Sequence, residues 1–444
     1  MTPTGRRRAV LAVVLTAGSL GLLAPGLPVA AAPAVGTATP VAPPAPPAAD
    51  PAALAALPRA PDALPGLTSL GPCPAGVAPD PFDALTPEPD AVPGASGRGV
   101  LVAVVDSGVA AHPRLAGGVV DGGDFVAGGS AEDDCDGHGT AVAGIVAAAP
   151  GADDGVVGVA PGARVLAVRA DTAWSRTATG GAGDEAVLAR AVRAAVAVPG
   201  VRVLTLAVAA CRPGAALVGG TGPAVGALRA AIRDAVARDV VVVAAAGNVG
   251  PACPANDPAS AAQRVVTVPV PAWFGVDPTE VLTVGALDDD GTPDRASLAG
   301  PWVGLAAPGR VPAALDARSA GLTADLTLPG SAPAPVVGTS FAAARVAGAA
   351  ALLRARFPTL SAAEVVARLR GTAAPVAGAA PAAVGTGALD VAAALAGARP
   401  AEPAPVSAPV AGGGTGRAAV VGLAVLVAVL AGVVGVVVRR RRRS

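Results

Sequence analysis

The chain contains no lysine and no tyrosine, so every positive side chain is an arginine. Aromatics make up 2% of its 444 residues, against 52% hydrophobic overall. A core must therefore come from Ala, Val and Leu and must gain by close packing of small side chains. Histidine is nearly absent as well. His112 and His138 are the only two, so histidine-dependent chemistry has few candidates. An excess of either charge is also missing: Lys+Arg and Asp+Glu stand at 32 each, a balance that excludes a general nucleic-acid binder. No motif calls for a cofactor or a metal. What the chain has in quantity is glycine and proline, 58 and 46 residues, together with four cysteines.

The first and last stretches read as targeting and membrane segments. Arg6-Arg7-Arg8 precedes an apolar run from Ala9 to Leu23, and small residues at Ala30–Ala32 offer a cleavage site. That is the pattern of a secretory signal over residues 1–32. Residues 33–96 form an Ala/Pro-rich extension. Its Pro33–Pro72 part has few of the large apolar groups that would offset its ordering entropy, and it reads as an extended arm or spacer. Residues 397–417 are a Pro/Gly-rich linker. Ala418–Val438 then runs without a charge, and a spanning helix needs about 20 such residues. Arg439–Arg443 follow at once and place the tail, 439–444, in the cytoplasm. The two ends agree on a single-pass protein of the cytoplasmic membrane whose body is extracytoplasmic.

Between them, residues 97–396 alternate strands and helices. Continuous apolar runs at Val100–Val105, Arg164–Arg169, Val201–Val208, Val240–Ala246 and Val281–Ala286 suit strands buried on both faces. Helical patterns lie at Asp184–Val198 and Pro223–Arg238, and Ser361 with Glu364 forms a capping box. The expectation is an α/β fold, a central mostly parallel sheet with helices on both faces, plus the C-terminal transmembrane helix.

Four positions carry candidate chemistry. Asp106 and Asn248 end apolar strands, where ligands gather in such sheets. His138 lies between glycines in Asp136-Gly137-His138-Gly139-Thr140. Ser340 opens a small-residue run that reads as a buried helix, and helix N-termini favour developing negative charge. Acyl transfer needs these four types. Ser340 is a weak nucleophile without a base, His138 can take and return the proton, and Asp106 can hold the imidazole. The Asn248 amide and the Ser340 N–H can bind the oxyanion.

On these motifs the chain resembles the subtilisin-like serine proteases over roughly Gly99 to Ala396. The matching segments are Val104-Val105-Asp106-Ser107-Gly108, His138-Gly139-Thr140, Ala245-Ala246-Gly247-Asn248 and Gly338-Thr339-Ser340. The order Asp, His, Ser is that family's. Within it the chain is most similar to the mycosins. Pro271-Ala272-Trp273-Phe274, Leu298-Ala299-Gly300-Pro301-Trp302-Val303, Ala306-Ala307-Pro308-Gly309, the arm, the cysteines and the tail anchor carry that closer match. The resemblance implies a subtilisin-like fold and a membrane-anchored protease. It further implies action on a protein or peptide substrate of a type VII secretion system and association with that complex. Two segments depart from the family pattern. Ala344 stands where the nucleophile helix usually has proline, and Val203–Val208 replaces a strand that usually carries Asn and Ser and offers its backbone to substrate.

Four cysteines in an exported chain give two disulfides with three possible connectivities. Cys211 and Cys253 each follow a strand end and could meet; Cys73 with Cys135 would then pin the arm beside His138, in agreement with the resemblance. Glu132, Asp133, Asp134 and Asp136 read as a solvated acidic loop rather than a metal site, Asp121 and Asp124 as surface groups, and His112 as a loop residue. Two functions remain in view: an active serine endopeptidase, or a docking component of a secretion complex built on a protease fold.

Overall fold

The computed structural model describes residues 40–74, 92–151, 154–178, 180–217 and 221–397. The expected signal segment, the linker, the transmembrane helix at 418–438 and the arginine tail lie outside the described residues. Among the described residues no helix is long and apolar enough to cross a membrane.

The five apolar runs, joined by two strands the sequence pattern does not announce, Val119–Asp124 and Val303–Pro308, form one seven-stranded sheet. Its members are β1 (Leu101–Asp106), β2 (Val119–Asp124), β3 (Arg164–Arg169), β4 (Val201–Leu206), β5 (Val241–Ala245), β6 (Leu282–Leu287) and β7 (Val303–Pro308), in the order β7-β6-β5-β4-β1-β3-β2. Every neighbouring pair is parallel. Parallel pairing requires crossovers, and the crossovers cover both faces. β1 shows the consequence residue by residue. Val102 and Val104 enter one core with α2 (His138–Ala147) and α5 (Thr339–Arg356), while Leu101, Ala103 and Val105 enter the other with α3 (Glu185–Ala197) and α4 (Gly222–Ala237). The small-residue run behind Ser340 is the buried helix its composition predicts: Thr339 through Arg354 are all buried.

Chain order reverses at β1, which has β4 on one side and β3 on the other. A crevice must open there, outside the carboxyl ends of the strands. Asp106 is the last residue of β1 and stands at that point.

Residues 40–74 of the extension are not a spacer but pack on the body. Asp50 caps the short helix α1 (Pro51–Ala56), Thr68–Ser69 pairs antiparallel with Ser175–Arg176, and Val41 bridges Val265. Arginines of the body hold its backbone: Arg193 donates to the carbonyls of Leu54, Leu57 and Pro58, Arg229 to Pro46 and Pro47, and Arg190 to Ala60. Trp273 Nε1 donates to Pro44 O at 2.9 Å. A proline-rich segment has few N–H groups but a full set of carbonyls, and the arginine fork supplies donors to match. Ala and Pro content alone does not show this, because the partners lie over a hundred positions away.

The cysteines pair as Cys73–Cys135 and Cys211–Cys253, and none is free. The first bridge ties the arm to the loop before His138 and removes Cys135 as a thiol nucleophile. Two sequence expectations are overturned by burial. Asp134 and Asp136 are not in a solvated loop but are 7% and 5% exposed, and Asp124 is fully buried. Each is paid back in hydrogen bonds: Asp124 meets Arg169 Nη1 at 3.1 Å and caps the N–H groups of Val126 and Ala127. Asp121 remains at the surface as expected, and His112 is in a loop but buried, its Nε2 3.0 Å from Gly321 O.

Candidate active site

Four elements deliver the four candidates to one cleft of about 430 Å³. Asp106 comes from the end of β1, His138 is the first residue of α2, Asn248 follows β5, and Ser340 is the second residue of α5. All four line the cleft.

His138 Nδ1 lies 2.7 Å from Asp106 Oδ1, which also accepts the Ser107 N–H at 2.7 Å. This close approach of helix to strand depends on Gly139. A Cβ there would stand 1.9 Å from Gly108 O and 3.0 Å from Asp106 Cβ. Behind the pair, Asp134 ties the start of α2 to the end of β1. It accepts Ser107 Oγ (2.8 Å), Gly137 N (2.9 Å), Thr140 N (2.8 Å) and Thr140 Oγ1 (2.6 Å), while Gly139 N donates to Ser107 Oγ at 3.0 Å. Asp136 accepts Thr172 Oγ1 and Ala173 N. Burial raises the carboxyls of both Asp134 and Asp136, against the pull of these hydrogen bonds.

Burial alone would disfavour a charged His138. The Asp106 carboxylate, backed by Asp134 and Asp136, outweighs it and lifts the imidazole to about 9. The Asp106 carboxylate thus favours the charged ring in the resting cleft. The serine geometry fits that state. Ser340 Oγ donates to the Ala207 carbonyl at 2.8 Å instead of to His138. The Phe341 ring packs on the imidazole at 5.1 Å between centroids.

Asn248 is oriented by Thr339. Its Oδ1 accepts both the Thr339 N–H and the Thr339 hydroxyl, each at 3.0 Å. Since a backbone N–H can only donate, that end of the amide is the oxygen, and the NH2 end has no hydrogen-bond partner among the described residues. Gly338 gives it room: a Cβ there would lie 2.9 Å from Asn248 Nδ2. Gly338 also has φ 147°, in the region that favours glycine. Ser340 N belongs to the first turn of α5, whose N–H groups have no partner within the helix. The cleft thus presents an amide NH2 and a helix N-terminus beside one hydroxyl.

Sequence reasoning missed Thr339, Ser107 and Thr140 as supports, and placed Asp134 in solvent. The Thr339–Asn248 link spans 91 positions, which no local pattern encodes. Asp134-x-x-Gly137 and Thr140 flanking His138 were the one available signal. Among the described residues no group of three or more His, Cys, Asp or Glu is placed to hold a metal ion.

The Peptidase S8 profile, described as the subtilase family, matches residues 97–393. Mycosin-4 of Mycobacterium tuberculosis is 42% identical over 330 residues, spanning 71% of this chain and 70% of that protein. A solved structure of the serine protease MycP1, described as an essential component of the type VII (ESX-1) secretion system, matches at TM-score 0.67 and 35% identity, covering 79% of this chain and 99% of that one. A chain of an intact ESX-5 inner membrane complex matches at TM-score 0.69 and 34% identity, covering 88% of this chain and 99% of its own.

Proposed function

The chain belongs to the subtilase family, among its mycosins, and from that premise we propose that Asp106, His138 and Ser340 form its catalytic triad in a serine endopeptidase. The observation that carries this reading is the 2.7 Å contact of His138 Nδ1 with Asp106 Oδ1 in the cleft that also holds Ser340.

In this reading a substrate peptide lies along Ala207–Ala209, which line the cleft. Its N–H competes for the Ala207 carbonyl and frees the Ser340 hydroxyl to turn toward His138. Neutral His138 takes the hydroxyl proton as Oγ attacks the scissile carbonyl. The oxyanion is held by Asn248 Nδ2 and Ser340 N–H. The imidazolium, kept in place by Asp106, hands its proton to the leaving amine. Water then repeats the sequence on the acyl-enzyme. No metal or cofactor takes part.

The matched MycP1 structure is described as a component of the type VII (ESX-1) secretion system, and another match is a chain of an ESX-5 inner membrane complex. We assign this chain a like setting. Residues 1–32 act as export signal, 33–96 as extension, 97–396 as peptidase domain and 397–417 as linker. Ala418–Val438 would anchor it with Arg439–Arg443 in the cytoplasm, so that the cleft faces a secreted protein outside the membrane.

A fluorophosphonate probe tests the catalytic reading. It should label the purified protein and fail on Ser340→Ala. Absence of labelling on folded wild-type protein would leave the docking role as the better account.

A further inference from the structure

The catalytic cleft is strongly one-signed. Asp106, Asp136 and Asp171 line it, and among the described residues His138 is the only side chain lining it that can carry positive charge. These carboxylates differ in how far they are already satisfied. Asp134, behind the wall, accepts four hydrogen bonds, and both oxygens of Asp136 are taken. Asp171 accepts one, from Thr172 N at 2.8 Å, among the described residues. Asp106 Oδ2 is buried and has no hydrogen-bond partner among the described residues.

Asp171 sits two residues past the end of β3, the strand beside β1 on the side away from β4 and β5, and it lines the cleft with His138. Its backbone is fixed there by a hydrogen bond from Asp171 N to Asp106 O. Gly183 packs over it so closely that a Cβ would stand 2.5 Å from Oδ1. The Oδ1 side of the carboxylate is thus closed in by Thr172 N and Gly183, and Oδ2 accepts no hydrogen bond among the described residues. Burial, together with the nearby charges of Asp136 and Asp106, raises its carboxyl to about 6. A cation arriving in the cleft would relieve that crowding.

Resting on the protease reading above, we propose that Asp171 is a specificity-determining residue that selects an arginine or lysine side chain of the peptide, seated beside His138. Three carboxylates with one imidazole leave an uncompensated negative field in a partly desolvated cleft, where a charge pair counts for more than at an open surface. Leu326 and the half-exposed Leu328 also line the cleft and suit an apolar side chain elsewhere in the same peptide.

Binding to the Ser340→Ala protein tests this without needing turnover. Peptides scanned with arginine at each position are compared with the same peptides carrying citrulline, an uncharged isostere. At one position arginine should bind about tenfold tighter, and Asp171→Asn in the same background should abolish the difference. Asp171→Arg should instead favour glutamate at that position. Equal affinity of the arginine and citrulline peptides at every position overturns the proposal, as does a preference that survives Asp171→Asn. Because the readout is binding, a protein that the fluorophosphonate fails to label would sink the catalytic reading and leave this result separately legible.

Discussion

At the scale of single residues, the site rests on side chains that hold other side chains. Asn248→Ala removes the amide NH2 and should lower kcat by about a hundred- to thousandfold with little change in KM, the loss typical of one oxyanion donor. A matched fall in affinity for uncleaved peptide would assign Asn248 to ground-state binding instead. Thr339 makes a subtler case. Its hydroxyl accepts from Gly247 N at 3.1 Å and donates to Asn248 Oδ1 at 3.0 Å. Thr339→Val keeps the shape and deletes both bonds. The amide is then held by one bond, and kcat should fall by about tenfold to a hundredfold through misplacement alone. Thr339→Ser, which restores the hydroxyl, should recover most of it; equal loss in both variants would mean that packing, not the hydroxyl, matters.

The acid–base groups set the pH response. His138 is raised above its ordinary 6.5 to about 9 in the resting cleft. Catalysis needs the neutral ring, so kcat/KM, which reports the free enzyme, should climb with pH on an alkaline limb rather than level off near neutrality. Asp106→Asn removes the charge that raises it; the limb should move to lower pH as the rate collapses. For stability the sign is fixed by the same shift. A histidine raised on folding contributes fully below about pH 6.5, and that share is lost as pH rises through about 9. Asp171 acts lower on the scale. Its carboxyl is raised from 3.8 to about 6, so the folded state holds a proton that the unfolded state has released. Between those values stability should fall as pH rises, and the melting temperature of Asp171→Asn should lose that slope.

At the scale of elements, most of the sheet was legible and most of what holds it at the cleft was not. Arg164–Arg169 is a strand at the bounds its sequence pattern predicts. Elsewhere the bounds differ by a residue or two: Val201–Val208 and Val240–Ala246 overshoot their strands, Val240 and Ala246 being buried but outside the ladder of β5, while Val100–Val105 and Val281–Ala286 start and stop one residue early. Burial writes itself into sequence as hydrophobicity, whereas the last ladder hydrogen bond does not. Asp106, His138, Asn248 and Ser340 could be found because each closes a strand or opens a helix beside a glycine. Ser107, Asp134 and Thr339 could not, because their work is defined by partners in other elements.

The junction of α2 with β1 offers the sharpest test at this scale. Gly139→Ala puts a methyl group 1.9 Å from Gly108 O, a backbone atom that cannot rotate away. Overpacking of this kind costs about 1–3 kcal/mol or more. The helix start must back off, and His138 with it. A lowered melting temperature, loss of peptide hydrolysis and loss of the low-field proton signal of the His138–Asp106 bond should appear together. Retention of that signal would show that the approach is slacker than the distances require.

At the scale of the whole molecule, the two disulfides divide the labour between arm and cleft. Cys73–Cys135 closes a separation of 62 residues and Cys211–Cys253 one of 42, each able to contribute up to about 4 kcal/mol through the unfolded chain. Their stability shares are therefore alike, and their functional shares are not. Cys211 and Cys253 both line the cleft, near Ala207 and Asn248, whereas Cys73 belongs to the arm. The arm is also held by Arg190, Arg193 and Arg229, and His138 keeps its place through Asp134 and Ser107. The double variant Cys73→Ala/Cys135→Ala should therefore melt lower and expose the 40–74 segment to a second protease, yet still react with a fluorophosphonate at low temperature. The double variant Cys211→Ala/Cys253→Ala should lose a similar amount of stability, keep the arm protected, and turn over peptide more slowly. If opening the arm bridge silences Ser340 while opening the cleft bridge does not, the arm, not the Asp134–Ser107 network, is what positions His138.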